Sequence, residues 1–86
     1  MAFNNVGPLT FLAPGQSVYW WYDRGGGDFG LQLAGADVKI PSGGARHNAT
    51  DQGKAKFNSG YTQYYVTITN VETTGCWHNL QGGGVS

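Results

Sequence analysis

The sequence is short of charge, cysteine, proline and long apolar runs, and each shortage excludes a class of protein. Lys plus Arg number five and Asp plus Glu five, so the formal net charge is zero and only 12% of residues are charged. An ordinary domain carries about 25%. Nucleic-acid binders and proteins drawn to anionic membranes show a basic footprint, and none is present. The single cysteine, Cys76, excludes an intramolecular disulfide and a cysteine-based zinc site. No apolar run is long enough for a membrane-spanning helix. The opening MAFNNVGPL has neither the basic start nor the apolar stretch of a secretory signal. Without disulfides or a signal, the expected location is the cytoplasm, or outside after release without a signal peptide. The 86 residues suffice for one domain, spanning 1–86, with a small core.

What the sequence does have is glycine and rings. Fifteen glycines and three prolines break the chain into short pieces, and the longest stretch free of both runs from Tyr61 to Thr74. Helices of ordinary length find no room, while aromatic and β-branched residues fill the gaps. The expected fold is all-β: a small antiparallel β-sandwich of six or seven short strands, with a partly closed β-barrel as the alternative.

Alternation assigns faces. A first segment runs from Phe3 to Ala13 and ends at the Pro14-Gly15 turn. In QSVYWWYD, Val18, Trp20 and Tyr22 share the core face, and Tyr19 and Trp21 share the other. Phe29, Leu31 and Leu33 alternate with Gly30, Gln32 and Ala34 as a half-buried strand. Val38 and Ile40 form a short apolar pair closed by Pro41-Ser42-Gly43-Gly44. Residues 45–57 read as a polar stretch. In YTQYYVTITN, Tyr64, Val66 and Ile68 face the core, and Tyr65, Thr67 and Thr69 face away. Cys76 to Leu80 gives a last short strand, and Gly82-Gly83-Gly84 is expected to fray.

Catalytic chemistry finds little footing. Cys76 and His78 lie two apart on one strand face, a spacing that rarely brings thiol and imidazole into a hydrogen bond, so Cys76 reads as a small apolar filler. Asp23 and Asp28 flank Gly25-Gly26-Gly27, and nothing fixes the separation that paired acid–base carboxylates need. The glycine run lacks the Gly-Lys-Ser/Thr ending of a phosphate loop. His47 and His78 give no metal-ligand spacing. The expectation is a protein without catalysis, cofactor or metal.

Three Trp, five Tyr and four Phe exceed what so small a core can bury. Rings turned outward beside neutral polar groups suit carbohydrate. A pyranose stacks its C–H face on a ring and gives its hydroxyls to Asp, Asn, Arg, His and Gln. Two clusters have this chemistry: Trp21, Asp23 and Arg24 with Asp28, and Trp77, His78 and Asn79 with Gln81. Arg46-His47-Asn48 offers a third loop, from which His47 is the assisting residue. The rival reading is an interaction or structural module whose exposed rings form only an oligomer interface.

The segments Asn4-Asn5-Val6-Gly7-Pro8, Pro14-Gly15-Gln16-Ser17, Asp51-Gln52-Gly53-Lys54, Tyr65-Val66-Thr67-Ile68-Thr69-Asn70 and Asn79-Leu80-Gln81-Gly82-Gly83-Gly84 resemble the small all-β mushroom lectins that bind α-galactosyl groups. The resemblance covers nearly the whole chain. It implies a fungal-type, cytosolic, homodimeric lectin for glycans with terminal, α-linked galactose, without enzymatic activity.

Overall fold

The computed structural model describes residues 4–23, 25–28, 30–39 and 44–84. Seven strands follow in chain order: β1 (Asn4–Asn5), β2 (Thr10–Leu12), β3 (Ser17–Tyr22), β4 (Gln32–Lys39), β5 (His47–Lys56), β6 (Thr62–Asn70) and β7 (Cys76–Gly84). They form two sheets in which all neighbours are antiparallel. In the first, β7 is central. Strand β4 pairs with it from Trp77 to Gly84, so β1 and β2 share its other side. In the second, β6 lies between β3 and β5. The result is a small β-sandwich. Neither a helix nor barrel closure occurs among the described residues.

The core lies where the alternating faces meet. On β6, Thr62, Tyr64, Val66, Ile68 and Asn70 are all buried, and the residues between them are not. Leu12, Tyr22, Ala34 and Leu80 close over them. Val18 and Trp20 pack against this cluster as their spacing requires. Asn70 is buried and fully engaged. Its Nδ2 donates to the carbonyls of Leu12 and Thr74, and its Oδ1 accepts from the Glu72 N–H. One side chain thereby ties the β6–β7 turn to the end of β2.

Four expectations are corrected. Gly82-Gly83-Gly84 does not fray but forms the buried end of the central strand. A Cβ on Gly82 would lie 2.8 Å from Tyr22 Oη, so that tyrosine fills the space a side chain would occupy. The same filling explains β4: with the Tyr22 and Tyr64 rings stacked 5.7 Å apart inside, the small Ala34 and the amide Gln32 turn inward, and Leu31 and Leu33 turn out. His47 and Asn48 lie not in a loop but at the start of a ten-residue edge strand, β5, whose backbone pairs with β6 however polar its side chains are. A bulge between Thr50 and Gly53, with Asp51 at φ 53°, breaks its periodicity. Finally, the first segment is split into β1 and β2. Pro8 has no N–H to pair, while Val6 still donates to the Leu80 carbonyl at 2.8 Å. The expectations for Phe3, Phe29 and Ile40 lie outside the described residues.

Candidate functional site: the two outer sheet faces

A two-layer sandwich has two outer faces, and each here carries rings. On the β3-β6-β5 sheet the register stacks three outward rows. Ser17 pairs with Thr69 and Thr69 with Asn48; Tyr19 with Thr67 and Thr67 with Thr50; Trp21 with Tyr65 and Tyr65 with Gly53. None of these residues carries a charge. Tyr19 and Trp21 are 59% and 56% exposed, values that belong to rings lying on a surface and not in a core. Tyr19 and Tyr65 have centroids 6.2 Å apart with ring planes 31° from parallel. Gly53 sets the pose of Tyr65. A Cβ there would overlap the Tyr65 hydroxyl and its ring carbon, so the missing side chain lets the phenol lie across β5. The rows end in a hydroxyl pair, with Ser17 Oγ 2.7 Å from Thr69 Oγ1. The face is an aromatic platform edged by hydroxyls and one amide.

The opposite face, on the β1/β2-β7-β4 sheet, is built differently. Trp77 sits between Phe11 and Lys39, Asn79 beside Asp37, and Gln81 between Asn5 and Gly35. Phe11 meets Trp77 edge-on at 5.4 Å, so the 49%-exposed indole is pinned from one side. Lys39 Nζ is 2.8 Å from Asp37 Oδ2, and Gln81 Nε2 donates to Asn5 Oδ1 at 3.2 Å. Rings, an ion pair and amides are mixed here, where the three rows of the first face carry no charge.

The sequence-derived site residues therefore do not converge. Trp21 belongs to the first face, and Asp23 follows it at the end of β3, where its Oδ2 accepts from the Tyr61 hydroxyl. That bond raises the Tyr61 phenol above its ordinary range. Arg24 lies outside the described residues. Asp28 is an anchor and not a free acceptor. Lys56, the Gly30 N–H and Lys54 all bind its carboxylate, hold it well below the usual carboxylate range and fasten the β3–β4 loop to β5. Trp77 and Asn79 lie on the second face.

His78 is corrected outright. It lies between Trp77 and Asn79 in sequence, so alternation sends it inward, and it is 0% exposed. His47, opposite it, also points in, and the two imidazoles contact each other. Neither reaches a ligand on an outer face. Cys76 shares the inward face of His78, but its Sγ is bonded to the Lys39 carbonyl at 2.8 Å.

Tyr19 and Tyr65 belong with Trp21 and are missing from the sequence-derived set. Alternation had turned both outward; the signal that joins them is Gly53, whose pairing with Tyr65 shows only once β5 is recognised as a strand. A third feature is a cleft of about 410 Å³ between the β4 and β5 edges, lined by Leu31, Leu33, Gln52, Gly53, Lys54 and Tyr64 among others. Its ammonium group, Lys54, is paired with Asp28. Among the described residues no three His, Cys, Asp or Glu side chains gather into a metal site, and no helix is long and apolar enough to cross a membrane.

The fold and faces define a class: an antiparallel β-sandwich bearing an uncharged aromatic platform on one sheet. Comparison with known proteins takes the assignment no further. No protein-family model, no curated protein and no solved structure matches the chain.

Proposed function

We propose that the protein is a lectin, a non-catalytic binder of neutral glycans with terminal galactose, probed best as the α-linked sugar. The observation that carries the reading is the Tyr19–Trp21–Tyr65 platform, uncharged and rimmed by Ser17, Thr67, Thr69, Thr50 and Asn48. Galactose fits such a surface. Its axial 4-hydroxyl leaves a continuous patch of C–H groups on the opposite side of the ring, which stacks on an indole while the hydroxyls reach the rim. The sequence resemblance to small α-galactosyl-binding lectins supports the same ligand.

A single shallow site of this kind binds on the order of millimolar, so useful avidity needs several sites on one particle. The second face supports a homodimer. Phe11 and Trp77 give it an apolar centre. A two-fold dimer joined through that face leaves the two platforms pointing away from each other, able to bridge separate glycans.

The test is a titration of tryptophan fluorescence with methyl α-galactoside and, separately, with glucose. The reading expects saturation with the galactoside only, and loss of the response in Trp21→Ala. No response to any glycan on an array, with the fold intact, contradicts it. The outer rings then serve protein contacts alone, the second reading, which the edge-on Phe11–Trp77 pair favours on its own face.

A further inference from the structure

The two histidines turned away from both faces form a chain with a fixed direction. His78 on β7 reaches two strands of the other sheet. Its Nε2 is 3.2 Å from Trp20 Nε1 on β3, and its Nδ1 is 3.1 Å from His47 Nδ1 on β5. The His78 ring stands at 90° to Trp20 and 81° to His47. An indole nitrogen only donates. His78 Nε2 must therefore offer its lone pair, which puts the proton of the neutral ring on Nδ1. That N–H donates to His47 Nδ1, so the proton of neutral His47 sits on Nε2. This last atom is buried and has no hydrogen-bond partner among the described residues.

Adding a proton anywhere breaks the chain. On His78 it lands on Nε2 and faces the Trp20 N–H, donor against donor. On His47 it lands on Nδ1 and faces the His78 N–H, again donor against donor. No described residue nearby compensates. In register beside His78 stand Thr10 on β2 and Val38 on β4, and beside His47 stands Asn70 on β6. The inward thiol, Cys76, is bonded to the Lys39 carbonyl, and the neighbouring charges Arg46 and Glu72 pair with each other at 3.3 Å. Among the described residues, no carboxylate stands in register beside either imidazole.

We propose that Trp20, His78 and His47 form an acid-sensitive clamp between the two sheets, closed while both imidazoles are neutral and released when either takes a proton. The inference stands apart from the glycan reading. Burial lowers both histidines from their ordinary value, and His47 adds to the lowering at His78. The sign follows. The unfolded chain binds protons near pH 6.5 and the folded chain only below that. The clamp's contribution is therefore complete above about pH 6.5 and is lost as pH falls toward the lowered folded values. Within that window the unfolding constant rises about tenfold per pH unit for each histidine held neutral.

The experiment is urea unfolding of the full chain at pH 7.5, 6.0 and 5.0, for the parent and for His47→Gln, with imidazole nitrogen NMR of the parent at pH 7.5. The range stays above the titration of Asp28. The clamp expects the parent to lose at least about tenfold in folding constant from pH 7.5 to 5.0, His47→Gln to show a visibly shallower loss, and the proton to sit on Nδ1 of His78 and Nε2 of His47. A flat parent profile, equal slopes in the two chains, or a proton on His78 Nε2 overturns it. The NMR arm decides the matter even if His47→Gln fails to fold.

Discussion

The two outer faces of this sandwich use the same kind of residue for different ends. On the β3-β6-β5 face Tyr65 lies across β5 beside the exposed Tyr19 and Trp21, and their neighbours are hydroxyls. On the β1/β2-β7-β4 face the indole leans on a phenyl edge and its neighbours include an ion pair. The difference comes from one glycine apiece. Gly53 sits beneath Tyr65 and Gly75 beneath Phe11; a Cβ at either would overlap the ring above it. In the first case the ring laid down joins two others to widen a platform. In the second it closes against Trp77 and narrows the open surface. An uncharged, hydroxylated surface suits a sugar, and a compact apolar knot bordered by charge suits a protein partner.

Core and platform meet most closely on β3, where adjacent indoles face opposite ways. Trp20→Ala removes a ring that packs beside Gly7 and Leu80 and bonds to His78, and the expected loss is about 3 kcal/mol in chemical denaturation. Trp21→Ala is expected to leave the melting temperature nearly unchanged and to weaken galactoside binding by about 1–2 kcal/mol, on the order of tenfold, in a fluorescence titration. Equal stability losses in the two variants would mean that the strand does not divide core from platform.

Gly53→Ala sharpens the contrast on the platform itself. Lifting Tyr65 off β5 is expected to reduce binding severalfold while the pairing of β5 with β6 persists in circular dichroism. Trp77→Ala is expected to shift the chain toward monomer in sedimentation and to leave binding by the free platform intact. A monomeric parent, or lost binding in Trp77→Ala, exchanges the roles assigned to the two faces. The smallest effect belongs to Asp51→Gly. Relieving a positive φ at the bulge is expected to stabilise the fold by less than about 1 kcal/mol, read as a small rise in melting temperature.

Much of this was legible in the residues. Period-two alternation placed Trp20 and Tyr22 inside, Tyr19 and Trp21 outside, and divided β6 correctly, because Val18 on β3 and Val66 and Ile68 on β6 mark the core side. It failed where polarity and burial part company. Leu33 on β4, and Leu31 just before it, turn outward because tyrosines from the other sheet already fill the space beneath the strand. Strand β5 is polar because it is an edge, and its bulge hides the period that remains. The glycines of β7 resemble a loose tail, yet they are buried, with the Tyr22 ring against Gly82 and the Leu31 carbonyl and Gln32 amide against Gly84. At the candidate site, outward residues were readable one strand at a time, so Trp21 was found. Grouping them needed the register across strands, so Tyr65 was missed and His78, a core residue, was included.

The account turns on whether a galactoside settles on the β3-β6-β5 face. Amide and side-chain NMR shifts recorded during titration with methyl α-galactoside locate the contact directly. Saturating shifts are expected to cluster at Tyr19, Trp21, Tyr65 and Thr67, with the Trp77 indole unmoved. Shifts centred on Trp77 and Asn79, or none at saturating sugar, would contradict it.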